Sequence, residues 1–238
     1  MNLTCIDIGN TNIVMGLYKN NSLVNVQRIE TNEIEIEKKL NLNTDHLIAI
    51  SSVVPKVEMF IKKQINTSYF SVSHINSNIA LDVDSPNEVG NDRICNMKVA
   101  IKKKLYPSII VDFGSATTYD VIDKNGHFIG GAIAPGIDVS AQYLFKKAAQ
   151  LNNVDFEAPK SAIGKNTMTN LQSGIMYGGI DSINGMLTRI KGELDDEIQH
   201  IILTGGFSTI LSKYISHSHM LDLDMTLKGI KLIWEENQ

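Results

Sequence analysis

The chain has 238 residues, 43% hydrophobic and 20% charged, with a formal net charge of −4, enough apolar sequence for one large domain or two small ones with cores of their own. An acidic balance with no long basic block excludes the electrostatic grip that nucleic acid demands. No apolar run approaches the ~18 residues that span a bilayer, and no basic start leads into an apolar stretch and a cleavage site, so a soluble, cytoplasmic protein with no membrane partner is expected.

In chain order, "NLTCIDIG" reads as a buried strand, and "IVMGLY" and "SLVNVQRIE", separated by the turn "KNNS", complete an antiparallel meander. "EIEIEKKLNL" carries helix formers, and "HLIAISSVVP" is a core strand stopped by Pro55. "KVEMFIKKQIN" follows with helical spacing, then "YFSVS" as a strand. Turn chemistry at Ser85-Pro86-Asn87 precedes a helix expected from about Asp92 to Lys104, closed by Pro107, whose Lys102–Lys104 run reads as a solvated face. "SIIVDFGS" restarts the opening pattern. After it come a Gly- and Pro-punctuated loop at "HFIGGAIAPGI", helices at "SAQYLFKKAAQL" and "TNLQSGIMYGGIDSINGMLTRIKGEL", a strand "HIILTGG" feeding a helix, and a last helix near "LKGIKLIWEE". Cys5 and Cys95 sit in apolar segments without CxxC spacing and read as buried free thiols, and His217 and His219 read as a surface turn.

The outline is written twice. Aligned without gaps, Asp7 falls on Asp112, Gly9 on Gly114, Lys19 on Lys124 and Asn20 on Asn125, each 105 positions on (112 − 7). Strands followed by alternating helix and strand give an α/β fold with mixed sheets flanked by helices. The repeat divides it into two domains, 1–105 and 106–238, with a cleft expected between them. An Asp at the end of a buried strand, followed by Gly and small polar residues, suits a magnesium-nucleotide. The carboxylate faces the hydrated metal, Gly lets the backbone approach a phosphate, and N–H groups donate to phosphate oxygens. Two such hairpins make an ATP clamp. Other phosphate motifs fail: at "IGKNT", Pro159 stands where a P-loop needs Gly and Asn166 where it needs Ser or Thr, and no GxGxxG follows a strand.

"DIGNTN", "SSVVP", "EVGNDR", "VDFGSATT", "GGAIAPG", "GKNT" and "LTGG", in that order, resemble the type III pantothenate kinases of the acetate kinase, sugar kinase, Hsp70 and actin superfamily. The resemblance implies two ribonuclease H-like, actin-like ATPase domains with ATP between them. It also implies phosphorylation of pantothenate by ATP, the first step of coenzyme A synthesis, with Mg2+ and a monovalent cation (K+ or NH4+), in a homodimer. It assigns ATP contacts to Asp7, Ile8, Gly9, Asn10, Thr11, Asn12, Ile13, Val14 and Ser115, with Asp7 toward magnesium through water and Asp112 toward the monovalent cation. Gly90, Asn91, Asp92, Arg93 and Thr169 fall at pantothenate, Asp92 being the catalytic carboxylate, and Gly205 and Gly206 near adenosine. By residue chemistry alone, Asp92 also reads as a helix cap, Arg93 as the partner of a helix-face acid, and the two glycines as a tight turn. Three positions depart from the family: Asn91 for Ala, Ser115 for Thr, and Val83 for a Tyr that contacts pantothenate. A catalytically silent regulatory protein of the same fold, or a kinase for another small alcohol, are the alternatives.

Overall fold

A computed structural model of the protein describes residues 2–32, 42, 45–65, 68–147 and 154–238. The helix expected at "EIEIEKKLNL" lies outside the described residues except for Leu42, as does the end of "SAQYLFKKAAQL". The chain forms two compact units, Met1–Lys104 with Gly126–Ile129 and Asp224–Gln238, and Leu105–Asn125 with Gly130–Leu223. The first long segment ends beside the expected boundary, but the last helix returns to the first unit.

The opening meander is β1 (Asn2–Ile8), β2 (Asn12–Lys19) and β3 (Ser22–Glu30), followed by β4 (Leu47–Ser52), α1 (Pro55–Gln64) and β5 (Tyr69–Ser71). Asn20 and Asn21 take φ of 48° and 68° between β2 and β3, the left-handed pair that a tight hairpin needs and Asn tolerates. A 3-10 turn at Pro86–Glu88 leads into α2 (Asn91–Lys102). The pattern then repeats as β6 (Ser108–Phe113), β7 (Ala116–Ile122), β8 (Phe128–Pro135), α3 (Ile137–Lys147), α4 (Thr167–Glu193), β9 (His200–Thr204), α5 (Ser208–Leu211) and β10 (Met220–Leu221), and the chain ends in α6 (Met225–Glu236). Among the described residues no helix is long and apolar enough to cross a membrane.

The two sheets have the same strand order, β3-β2-β1-β4-β5 and β8-β7-β6-β9-β10. In each the first strand pairs antiparallel with the second and parallel with the fourth. The segment expected as a loop, "HFIGGAIAPGI", therefore holds β8, the counterpart of β3. Gly130, Gly131 and Pro135 disguise it: Gly131 crosses so close to the Tyr119 carbonyl that no Cβ fits. The gapless repeat also needs one correction. Asp7 pairs with Val14 and Asp112 with Thr118, so the offset of 105 before the turn becomes 104 after it (118 − 14), because the second turn is one residue shorter.

Strand alternation sorts the residues by face. In the first unit Ile6, Ile8, Ile13, Met15, Ile48 and Ile50 pack with Val57 and Ile61 of α1. Cys5 and Asp7 therefore point to the opposite face, as do their β4 partners Ala49 and Ser51. Helix α6 packs on β1 there, with Leu227 filling the space beside Gly16. In the second unit Ile109, Val111, Phe113 and Tyr119 pack against Met176, Ile180, Ile183 and Leu187 of α4, again leaving Asp112 on the other face.

Helices α2 and α6 meet backbone to backbone, because a Cβ on Gly229 would fall on the carbonyl of Cys95. Around that contact Thr226 Oγ1 donates to Asn96 Oδ1 at 2.9 Å, and Glu236 receives Lys98 Nζ at 2.6 Å and Lys102 Nζ at 3.1 Å. Burial alone would raise the Glu236 pKa, but the hydrogen bonds and charges of the two lysines hold it below its ordinary value. Since the obstacle at Gly229 is main chain, Gly229→Ala is expected to destabilise the fold by about 1–3 kcal/mol, read as a lower midpoint in urea unfolding.

Candidate active site

The turn after β1 is held from three directions. Gly9 N donates to Asn12 O at 3.0 Å, Thr31 Oγ1 donates to Gly9 O at 2.7 Å, and Thr31 N donates to Thr11 O at 2.9 Å. Asn10 and Thr11 are exposed at its tip. Ile8 and Ile13 are fully buried in the core, so of that stretch they can offer a ligand only their main chain. Asp7 stands at the mouth of the strand, with its Oδ1 accepting from Ser51 Oγ at 3.1 Å. Thr31 and Ser51 were not singled out in the sequence, where a lone Thr after a strand and a Ser inside "SSVVP" carry no distinguishing signal.

Asp92 lies in the first turn of α2, whose cap position is Gly90. Its Oδ1 accepts from the next residue's N–H, Arg93 N, at 2.8 Å, so the capping role is absent and the carboxylate stays at the helix mouth. Gly90 leaves room for that carboxylate, since a Cβ would stand 2.6 Å from Asp92 Oδ1 and push it aside. Burial raises the Asp92 pKa above its ordinary 3.8, outweighing the Arg93 N–H bond and the Arg93 charge that lower it. The Arg93 guanidinium lies 5.4 Å from the centre of the Phe128 ring, a cation–π stack that fixes its fork. Phe128 is positioned in turn by main-chain bonds to Ala80 O and from Asp82 N, at 2.9 and 2.8 Å. Asn91 finds its own use: its Nδ2 donates to Ser52 O at 3.1 Å, tying the start of α2 to the end of β4.

One helical turn beyond Asp92, the Cys95 thiol is completely buried, and the nearby Ser51 hydroxyl lowers its pKa. Burial first, then the charges of Asp7 and Asp92, push its pKa well up, so it is a neutral thiol and not a nucleophile. Cys5 is likewise buried and raised, in keeping with the reading of both as free thiols.

In the second unit, Asp112 is flanked across the sheet by Thr118 on β7 and Thr204 on β9, a row of oxygen-bearing side chains on one face. Thr118 Oγ1 is buried and makes no hydrogen bond. Gly205, at φ 89°, passes so near that a Cβ would collide with Asp112 Oδ1 and stand 2.6 Å from Phe113 N. Gly206 beside it is exposed. The short turn at Gly114-Ser115 is closed by Gly136, whose N–H donates to Ser115 O at 3.0 Å and whose missing side chain makes room for that carbonyl. Thr169 lies in the exposed first turn of α4, in a reciprocal capping box with Asn166. His217 and His219 make separate contacts with Thr188 and with main chain, as a surface turn would.

The residues fit the ions a nucleotide enzyme uses. Among the described residues no three His, Cys, Asp or Glu side chains gather as a metal cage. A lone carboxylate such as Asp7 is what magnesium takes when phosphates and water supply its other ligands. The orphaned Thr118 hydroxyl beside Asp112 fits a cation that takes oxygen ligands.

Residues 3–189 match the profile of the type III pantothenate kinase family. The chain is 36% identical over 251 positions to the type III pantothenate kinase of Halalkalibacterium halodurans, covering 98% of each. The corresponding enzyme of an Exiguobacterium species is also 36% identical, over 252 positions and 98% of each chain. The chain belongs to the type III pantothenate kinase family. This kinase therefore uses ATP to phosphorylate pantothenate in coenzyme A synthesis. Solved structures agree on the fold. A Campylobacter jejuni protein described as a Baf-family transcriptional activator superposes with a TM-score of 0.65 at 23% identity, over 98% of both chains. Spiroplasma citri MreB 5 bound to AMPPNP gives 0.54 at 8%, over 98% of this chain and 96% of its own, which places the kinase among actin-like ATPase folds.

Two outcomes follow for stability. Because the folded kinase holds the Asp92 proton more tightly than the unfolded chain, stability falls as pH rises from the unfolded pKa through the raised folded one. Asp92→Asn is therefore expected to melt above the wild type at pH 8, with the gap closing below the ordinary 3.8, as followed by thermal unfolding across pH. Gly205→Ala should cost at least about 1 kcal/mol, from its positive φ and the Asp112 collision, measurable by urea denaturation.

Proposed function

We propose that Asp92 is the proton acceptor of the transfer. The primary hydroxyl of pantothenate attacks the γ-phosphorus of ATP as its proton passes to a carboxylate oxygen of Asp92. The new P–O bond forms in line with the bond to the β-phosphate, which breaks and leaves its electron pair on ADP. The observation that best supports this is a carboxylate at a helix mouth with its pKa raised by burial, a basic group matched to an alcohol proton. Arg93, stacked on Phe128, presents a planar fork suited to the pantothenate carboxylate. Gly90 and Asn91 shape the same corner.

The turn residues Gly9 to Asn12, with the main chain of Ile8, Ile13 and Val14, are assigned to the phosphates, as is Ser115; Gly205 and Gly206 are assigned to adenosine. Asp7 is assigned to magnesium through water, and Asp112 with Thr118 to potassium or ammonium. Bound magnesium would supply charge neutralisation on the phosphates. Thr169, half-buried at the start of α4, is assigned to pantothenate held by the other copy of a homodimer. Exposed Ile133, Val139, Tyr143 and Met168 in the same unit give such a pairing apolar surface. Because ATP is an intracellular cosubstrate, the reaction is placed in the cytoplasm.

The test is a coupled ADP-release assay with ATP, magnesium and pantothenate, with and without potassium. Asp92→Asn is expected to lose about 10²–10⁴-fold in kcat while still binding ATP, and the acidic limb of the wild-type kcat profile should lie above the ordinary carboxylate range. Equal turnover by the variant would overturn Asp92 as the acceptor. A monomer by gel filtration with light scattering, at concentrations giving full activity, would remove the homodimer.

A further inference from the structure

The Asp7 carboxylate is not placed by its strand alone. Parallel pairing of β1 with β4 sets Ser51 directly beside it, and the Ser51 hydroxyl donates to Asp7 Oδ1 at 3.1 Å. Ser51 is 0% exposed, so no water substitutes for the hydroxyl if it is lost. Ser51 also bears on the thiol of Cys95, likewise 0% exposed, on helix α2, which begins at Asn91. The Ser51–Asp7 bond thus ties the end of β4 to the carboxylate near the end of β1. Each hydrogen bond to a carboxylate narrows the orientations open to it about its terminal bond, and removing one widens them. Ser51 touches neither nucleotide nor acceptor in the proposed arrangement, because it is fully buried beside Asp7.

We propose that Ser51 is a positioning residue of this kinase: its buried hydroxyl aims the Asp7 carboxylate at the magnesium of the bound nucleotide. The inference rests on Asp7 being the magnesium-facing carboxylate. Outer partners of metal-facing groups are worth about 10- to 100-fold in metal affinity. The loss should appear in the magnesium-dependent part of nucleotide binding and not in the metal-free part.

The experiment is calorimetric titration of the purified kinase with ADP, once with magnesium and once with EDTA, on wild type, Asp7→Asn, Ser51→Ala and Ser51→Cys. Wild type should bind more tightly with magnesium than without. Ser51→Ala should lose about tenfold or more of that ratio while keeping its affinity in EDTA, and Ser51→Cys, of the same shape but a weaker donor, should fall between. A purely structural Ser51 would lower both affinities together and leave the ratio unchanged, which overturns the inference, as does a wild-type ratio in Ser51→Ala. If Ser51→Ala does not fold, Ser51→Cys decides on the same ratio. An unaltered ratio in Asp7→Asn would instead remove the magnesium assignment of Asp7, and this inference with it.

Discussion

Helix α2 can lie where it does because nothing separates its backbone from that of α6. Gly229 has no side chain to hold the helices apart, and the Cys95 carbonyl occupies that space. Everything at the open end of α2 depends on this contact. The Asn96–Thr226 bond and the two lysines converging on Glu236 fix rotation and register along the helix pair. Lys98 is nearly buried, and its Nζ also donates to Ser77 O at 2.8 Å, so its charge is paired and hydrogen-bonded, as a buried ammonium must be. With the helix clamped, Gly90 and Asp92 have little freedom, and the carboxylate is retained at the helix mouth.

The two halves solve one problem with different turns. Each sheet carries, one residue before the end of its first strand, an Asp that faces away from the main core, because alternation puts Ile6 and Ile8, or Val111 and Phe113, on the core side. The longer first turn exposes Asn10 and Thr11 and needs Thr31 to brace it. The shorter second turn is braced by Gly136, whose absent side chain makes the fit possible. The neighbours of the two Asp residues also differ. Asp7 has Ser51 beside it on β4, whereas Asp112 has threonines on either side, one of them with an unspent hydroxyl.

This chain's departures from its family have local explanations in part. Asn91 ties the helix start to Ser52 and so tightens the corner that holds Asp92. Ser115 contributes its carbonyl to the Gly136 bond, a role that does not depend on its side chain. Nothing in the structure explains Val83.

Much of the kinase is legible in the sequence. The duplicated Asp-x-Gly hairpins, the Asn-containing turns and the ordered motifs determine two mixed sheets and the positions of Asp7, Asp92 and Asp112, because turn chemistry and strand alternation are local properties. Strand β8 was hidden because its glycines and proline imitate a loop, and only close passage over Tyr119 O shows why they are there. The shortened second turn escaped a gapless comparison, since only pairing between strands reveals register. Tertiary structure alone decided that the last helix returns to the first unit, that Ser51 lies beside Asp7, and that burial lifts the Asp92 pKa. Each depends on which distant residues meet, Asp7 and Ser51 being 44 positions apart, and no local pattern records such a meeting.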